Sequence, residues 1–251
     1  MSGHSKWSTI KHKKGAADAK RGQLFTKLSK AIIVAAKEGG ADPAANLSLQ
    51  NAVEKAKSYS MPKDTIERAI ARGAGTDADA AAYESIVYEG YGPDGVAVLV
   101  EALTDNRNRT ASDVRHTFAK HGGNLGTSGA VAWLFERRGI VLVNAEDADE
   151  DELTLAAAEG GAEDVALDGS VFEISCAPEN LASVRQAIED AGMKVESAEL
   201  SMVPKTTVEV AAEPSARKLI HLIEALEEND DVQDVYANFD IPEQVLEAVA
   251  S

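Results

Sequence analysis

Residues 138–204 carry a complete β-α-β-β-α-β pattern that interrupts another pattern left unfinished on both sides. Inside the interruption, Gly139–Asn144 reads as a strand and Asp149–Glu159 as an acidic helix. Val165–Leu167 and Val171–Cys176 read as strands, Pro178–Ala191 as a helix, and Lys194–Val203 as a closing strand. Upstream, Ile86 and Tyr88, then Val96, Val98 and Val100, alternate around the hairpin signal Gly92-Pro93-Asp94-Gly95. A helix is expected near Thr110, where Thr110 and Asp113 have capping-box spacing, then a glycine-rich stretch and a strand around Val131–Phe135. That unit lacks its second helix and last strand. Downstream, Val208–Val210, a helix over Pro214–Glu228 and a strand over Val232–Phe239 supply them. The alternative, two consecutive sheet domains, leaves the middle one short of a helix.

Ahead of the strands the apolar period is 3.6. Leu24, Leu28, Ala31, Ile32 and Ala35 share one arc, and Gly39-Gly40 ends the run. A second helix is expected to open at Asp42-Pro43 and to bury Leu49, Ala52, Val53 and Ala56. A third follows Met61-Pro62 with Ile66, Ala69 and Ile70 inward, stopping at Gly73. The expected fold is α+β: an N-terminal three-helix domain over 1–79, then two ferredoxin-like α/β domains, the third inserted into the second. The discontinuous domain takes 80–137 plus 205–251, and the insert takes 138–204.

Charge divides along the same line. The net charge of -17 and a pI near 4.7 argue against contact with phosphate when taken whole. Residues 1–37, however, set nine bases against Asp18 alone, a net of +8. Residues 38–75 balance to zero, so the remainder carries -25. This is a basic arm on an acidic body. In the arm, Lys6, Lys11, His12, Lys13 and Lys14 beside Trp7 suit phosphate contact with stacking on an unpaired base. Trp7 and Ile10 could equally pack on the bundle. Lys20, Arg21, Lys27 and Lys30 continue the basic run along the first helix, Lys20, Lys27 and Lys30 as a stripe beside its apolar arc. A second candidate is Arg107 and Arg109 in the run Asn106-Arg107-Asn108-Arg109, placed to hold a phosphate near a helix start, or else part of an exposed loop.

Other chemistry finds little support. His116 and His121 are five apart and do not share a helix face for a metal. No HExxH, GxSxG or Walker pattern occurs, and Gly122–Gly129 matches no phosphate loop and reads as a flexible connection. Cys176 alternates with Phe172 and Ile174 as a core thiol. The acidic run Glu146–Glu152 reads as a solvated helix start. No enzyme activity, cofactor, metal or small-molecule substrate is expected. With one cysteine, no run of ~20 apolar residues and no signal-peptide pattern, the expected location is cytoplasmic, with no membrane contact.

Several long motifs stand in fixed order: Gly3-His4-Ser5-Lys6-Trp7, Lys20-Arg21-Gly22-Gln23-Leu24-Phe25-Thr26-Lys27-Leu28 and Met61-Pro62-Lys63-Asp64-Thr65-Ile66-Glu67-Arg68-Ala69. Tyr88-Glu89-Gly90-Tyr91-Gly92-Pro93, Leu103-Thr104-Asp105-Asn106-Arg107-Asn108-Arg109-Thr110 and Lys120-His121-Gly122-Gly123-Asn124-Leu125-Gly126 complete the series. Together they resemble the YebC family over essentially the whole chain, with Thr127 departing from an expected acidic residue. The resemblance implies a helical domain followed by two α/β domains, the third inserted into the second. It also implies a non-enzymatic role in gene expression, described for some members as DNA-binding transcriptional regulation. Others, including a mitochondrial translational activator, resemble ribosome-associated factors that help difficult peptide sequences through. The expected partner is therefore DNA or ribosomal RNA, held by the basic N-terminal domain. No helix-turn-helix with a polar reading helix is evident, which leans toward a large structured RNA. A third possibility is a protein-interaction module whose arm matters little.

Overall fold

The computed structural model describes residues 18–75 and 83–250. Three helices come first: α1 (Asp18–Gly39), α2 (Leu47–Ser58) and α3 (Lys63–Ala74). Leu28, Ile32, Ile33, Ala35 and Ala36 of α1 pack with Leu49, Val53, Ala56, Met61, Ile66 and Ala69. Fully burying one such aliphatic side chain is worth roughly 1.5–3 kcal/mol. The buried arc of α1 is wider than one stripe, because both Ile32 and Ile33 are covered. Gly73 does not stop α3. It lies inside that helix, where a Cβ would sit 2.4 Å from the Ile33 carbonyl oxygen, so glycine lets α1 and α3 approach backbone to backbone.

The second helix begins later than Asp42-Pro43. Asp42 instead closes a turn, accepting from the Ala44 amide at 3.0 Å. Asn46 is the cap: its Oδ1 accepts from the Leu49 amide (3.1 Å), while its Nδ2 donates to the carbonyls of Ala35 (2.7 Å) and Gly40 (2.9 Å). One buried amide thus starts α2 and closes α1, which Asp, having no N–H, could not do.

The chain then forms β1 (Glu84–Tyr91) and β2 (Ala97–Thr104), joined by a single 3₁₀ turn at Pro93–Gly95. Helix α4 (Arg107–Lys120) and the two-residue β3 (Asn124–Leu125) follow. The segment around 131–135 does not finish this sheet. Ala132–Leu134 is a 3₁₀ turn, and the next strand, β4 (Phe135–Asn144), belongs to the inserted sheet. The insert continues with α5 (Glu150–Gly160), β5 (Ala162–Asp168), β6 (Val171–Cys176), α6 (Leu181–Asp190) and β7 (Val195–Pro204). Its antiparallel order, β5-β6-β4-β7, is the ferredoxin-like one. Val141, Val143, Leu153, Phe172, Ile174, Val184 and Ile188 form its core, with Cys176 fully buried among them. Asp149 caps α5 by accepting the Asp151 and Glu152 amides, each at 3.1 Å, so the second half of the acidic run is a helix start, while Glu146 and Asp147 lie in the 3₁₀ turn Ala145–Asp147 ahead of it.

After the insert come β8 (Val208–Glu209), α7 (Glu213–Glu227), β9 (Val232–Ala237), β10 (Phe239–Asp240) and α8 (Glu243–Ala250). Strand β9 pairs antiparallel with β2 and completes the order β3-β1-β2-β9, while β8 and β10 pair separately. Two compact units result: residues 133–207 form one, and the described helices α1–α3 join the discontinuous sheet in the other. The fold is α+β, a helical N-terminal region with two α/β sheets, one inserted into the other.

Candidate nucleic-acid interface

Gln23, Lys27 and Lys30 stand at i, i+4 and i+7 on α1, which places them on one face. They meet the C-terminal end of α7, whose last carbonyls have no partners within their own helix. The Gln23 amide donates to the Glu228 carbonyl (2.5 Å) and to Asp230 Oδ1 (2.8 Å). Lys27 Nζ donates to the Glu227 carbonyl, and Lys30 Nζ to the Asp230 carbonyl at 2.9 Å. Cations at a helix C-terminus also meet the negative end of its dipole. A neighbouring pair, Lys55 Nζ to Asp234 Oδ1 at 3.0 Å, joins α2 to β9.

Asp231 lies at the centre of this junction, with its side chain 8% exposed. Lys30 Nζ reaches its Oδ1 at 3.0 Å, and Arg109 Nη2 reaches its Oδ2 at 2.7 Å. Thr110 Oγ1 donates to the same oxygen at 2.8 Å, and Thr104 Oγ1 lies 3.3 Å from it. Burial would raise the Asp231 carboxyl. The hydrogen bonds from Arg109, Lys30 and Thr110 outweigh that and hold it down to about 2. Arg109 is correspondingly pushed further up by Asp231 and then by Asp105, 2.8 Å away.

The arginine pair is therefore not in a loop. Asn106 caps α4 by accepting the Arg109 amide at 3.1 Å, so Arg107 and Arg109 occupy the first helical turn. Thr110 is inside the helix with its hydroxyl in the Asp231 cluster, which displaces the expected start by three residues. Arg107 stays exposed, 3.8 Å from Glu84, and does not join Arg109. Lys6, Trp7, Lys11, His12, Lys13 and Lys14 lie outside the described residues. Lys20 and Arg21 open α1, and their side chains are outside that set as well. The structure brings Lys30 and Arg109 together around an acid that sequence reasoning missed, with Lys27 on the adjoining end of α7. Lys30 and Asp231 are 201 positions apart, and no local pattern links them.

A second carboxylate organises the glycine-rich stretch. Glu89, 5% exposed, accepts the amides of Gly129, Val131 and Ala132, each at 2.7 Å. Burial opposes the charge, yet these three backbone donors lower the Glu89 carboxyl below its ordinary value. Gly126 N–H donates to the Glu89 carbonyl, the Tyr91 hydroxyl donates to the Ala130 carbonyl, and Asn124–Leu125 pair with β1. Residues 122–132 are thus a pinned loop and not a flexible connection. At Gly90 a Cβ would fall 2.7 Å from both the Asn124 oxygen and the Phe118 ring, so the Tyr88-Glu89-Gly90-Tyr91 motif needs glycine there.

Among the described residues, no group of three His, Cys, Asp or Glu side chains is placed to hold a metal ion. The Cys176 thiol is pushed up by burial, away from the reactive thiolate. No described helix is long and apolar enough to cross a membrane.

A bundle carrying a basic helix, followed by one α/β domain inserted in another, matches one family along nearly all of its length. The model for the TACO1/YebC N-terminal domain matches residues 5–76, and that for the TACO1/YebC second and third domain matches residues 83–239. This chain belongs to the TACO1/YebC family. It is 62% identical over its full length to a probable transcriptional regulatory protein of Rubrobacter xylanophilus, covering all of that protein. A relative from Persephonella marina with the same description is 53% identical, again with full coverage of both. Among solved structures, a conserved hypothetical protein of Aquifex aeolicus superposes with a TM-score of 0.81 at 51% identity, covering 91% of this chain and 94% of that one.

Proposed function

We propose that this chain is a non-enzymatic, cytoplasmic regulator of gene expression that binds nucleic acid through its N-terminal domain, acting as a DNA-binding transcriptional regulator. The observation that carries the reading is the charge division: +8 over residues 1–37 against -25 beyond residue 75. A phosphate polymer is drawn to the first and repelled by the second. The ligands on this reading are Lys6, Lys11, His12, Lys13, Lys14, Lys20 and Arg21, with Trp7 stacking on an unpaired base and Arg107 as an outlying contact. The names carried by the Rubrobacter and Persephonella relatives support transcription as the level of action.

A second reading, association with ribosomal RNA, draws on α3. Its exposed side chains mix both signs, with Asp64 and Glu67 among Lys63, Arg68 and Arg72, and Lys63 lies 3.6 Å from Glu67. A helix entering the major groove would carry those carboxylates toward phosphates, so α3 is poorly suited to reading bases. Titrating the full chain against duplex DNA and, by co-sedimentation, against ribosomes across a salt series separates the two. Tight, strongly salt-dependent binding to duplex alone supports transcription, and the same behaviour with ribosomes alone moves the reading to translation. Salt-insensitive binding, or none to either polymer, overturns both.

A further inference from the structure

The basic residues that the fold gathers together are engaged from within, Lys30 most completely. Lys30 Nζ has three protons. It donates to the Asp230 carbonyl and Asp231 Oδ1, and it sits 5.5 Å from the centre of the Tyr83 ring, a cation–π distance. Only 12% of the Lys30 side chain is exposed. Lys27 is turned onto the end of α7, and Arg109 bridges Asp231 and Asp105 through Nη2 while its side chain stays 48% exposed. Around them the exposed carboxylates of Glu224, Glu228 and Asp230 present the wrong sign to an approaching phosphate. A polymer would have to displace a buried carboxylate bound to two cations and a hydroxyl.

We propose that Asp231 is a positioning residue for the nucleic-acid contact: by holding Lys30 and Arg109 in one ion cluster it fixes the basic helix α1 against the α4–β2 corner of the discontinuous sheet, and it withdraws the buried Lys30 from the cations that meet phosphate. The withdrawal rests on the nucleic-acid reading above, whereas the fixing of α1 does not. The polymer then meets the arm and the start of α1, at an angle set by Asp231.

Two measurements on the full chain test it. The first follows binding to a random-sequence DNA duplex and to a transcribed ribosomal-RNA hairpin over a salt series. Each phosphate that a variant no longer neutralises takes about 0.9 off the slope of log K against log salt on duplex DNA, and about 0.7 on single strands. Lys11→Gln and Lys13→Gln should each lower the slope and leave the melting temperature unchanged. Lys30→Met should lower the melting temperature and leave the slope unchanged. A fall of about 0.9 in slope for Lys30→Met, with the melting temperature intact, overturns the proposal.

The second needs no ligand. Spin labels at Lys57→Cys on α2 and Arg115→Cys on α4, in a Cys176→Ala background, report the distance between the bundle and the sheet. Asp231→Asn should broaden that distribution at temperatures where circular dichroism shows the chain folded, and Asp231→Glu should restore it only in part. An unchanged distribution in Asp231→Asn overturns the positioning role. Absence of binding by the parent chain, with broadening still seen, would remove the nucleic-acid reading and keep the strut.

Discussion

The two compact units are held together in different ways. Residues 133–207 close over a core of apolar side chains and one buried thiol contributed by neighbouring strands and helices. The other unit has apolar cores of its own but also joins segments more than a hundred residues apart, and there two buried carboxylates make key connections. Asp231 links α1, α4 and β9, while Glu89 pins the loop that leads out toward the insert. Apolar burial is non-directional and tolerant of detail. A buried carboxylate stabilises only while every partner stays in place. The basic helix is therefore mounted on the more conditional of the two constructions.

The largest expected effect comes from breaking the Asp231 cluster. Asp231→Ala leaves Lys30 and Arg109 without their shared acid and should cost about 3–5 kcal/mol. Hydrogen exchange resolved by segment should show the loss in α1 and β9, with β6 keeping its protection. Equal loss in β6 would erase the distinction between the units. The converse change, Ile174→Ala, opens a cavity in the inserted core and should cost roughly 2–5 kcal/mol, confined to 133–207 in the same experiment.

Acid should act on the carboxylate-held unit first. The Asp231 carboxyl sits at about 2 in the folded chain, below its unfolded value of roughly 3.9. Its contribution is thus complete above about pH 5 and fades as the pH falls toward about 1, a loss of about 2–3 kcal/mol. Glu89, also lowered, adds in the same direction. Segment-resolved unfolding against pH should show α1 and β9 opening before β6. The smallest effect is expected at the surface: Arg185→Ala removes an exposed pair with Glu189 and should shift stability by less than about 0.5 kcal/mol.

How far the sequence reveals the fold follows from the same contrast. The insert is legible because its strands alternate, its helices are amphipathic and its β-α-β-β-α-β order is complete within one stretch of chain. The hairpin around Pro93-Asp94-Gly95 and the return of α7 and β9 to the open sheet are legible for similar reasons. Boundaries fail where a side chain answers to a distant partner. Asn46 in place of Asp42, and Asn106 in place of Thr110, begin their helices because Asn46 must also reach the end of α1 and Thr110 is drawn to Asp231. The glycine-rich loop looks flexible until Glu89, about 40 residues away, is seen to hold it. The lysine stripe on α1 is legible as charge. Its engagement with the end of α7 is not, since nothing near Lys27 or Lys30 in the chain announces an acid two hundred positions on.

The account rests most heavily on the arm as the place where phosphate is met. Removing residues 1–14 and repeating the salt titration against duplex DNA and ribosomes tests that directly. The expected result is near-complete loss of salt-dependent binding to whichever polymer the parent chain holds, while the melting temperature and the exchange protection of α1 stay unchanged. Undiminished affinity with the same salt slope would contradict it, and would move the contact to the start of α1 or beyond.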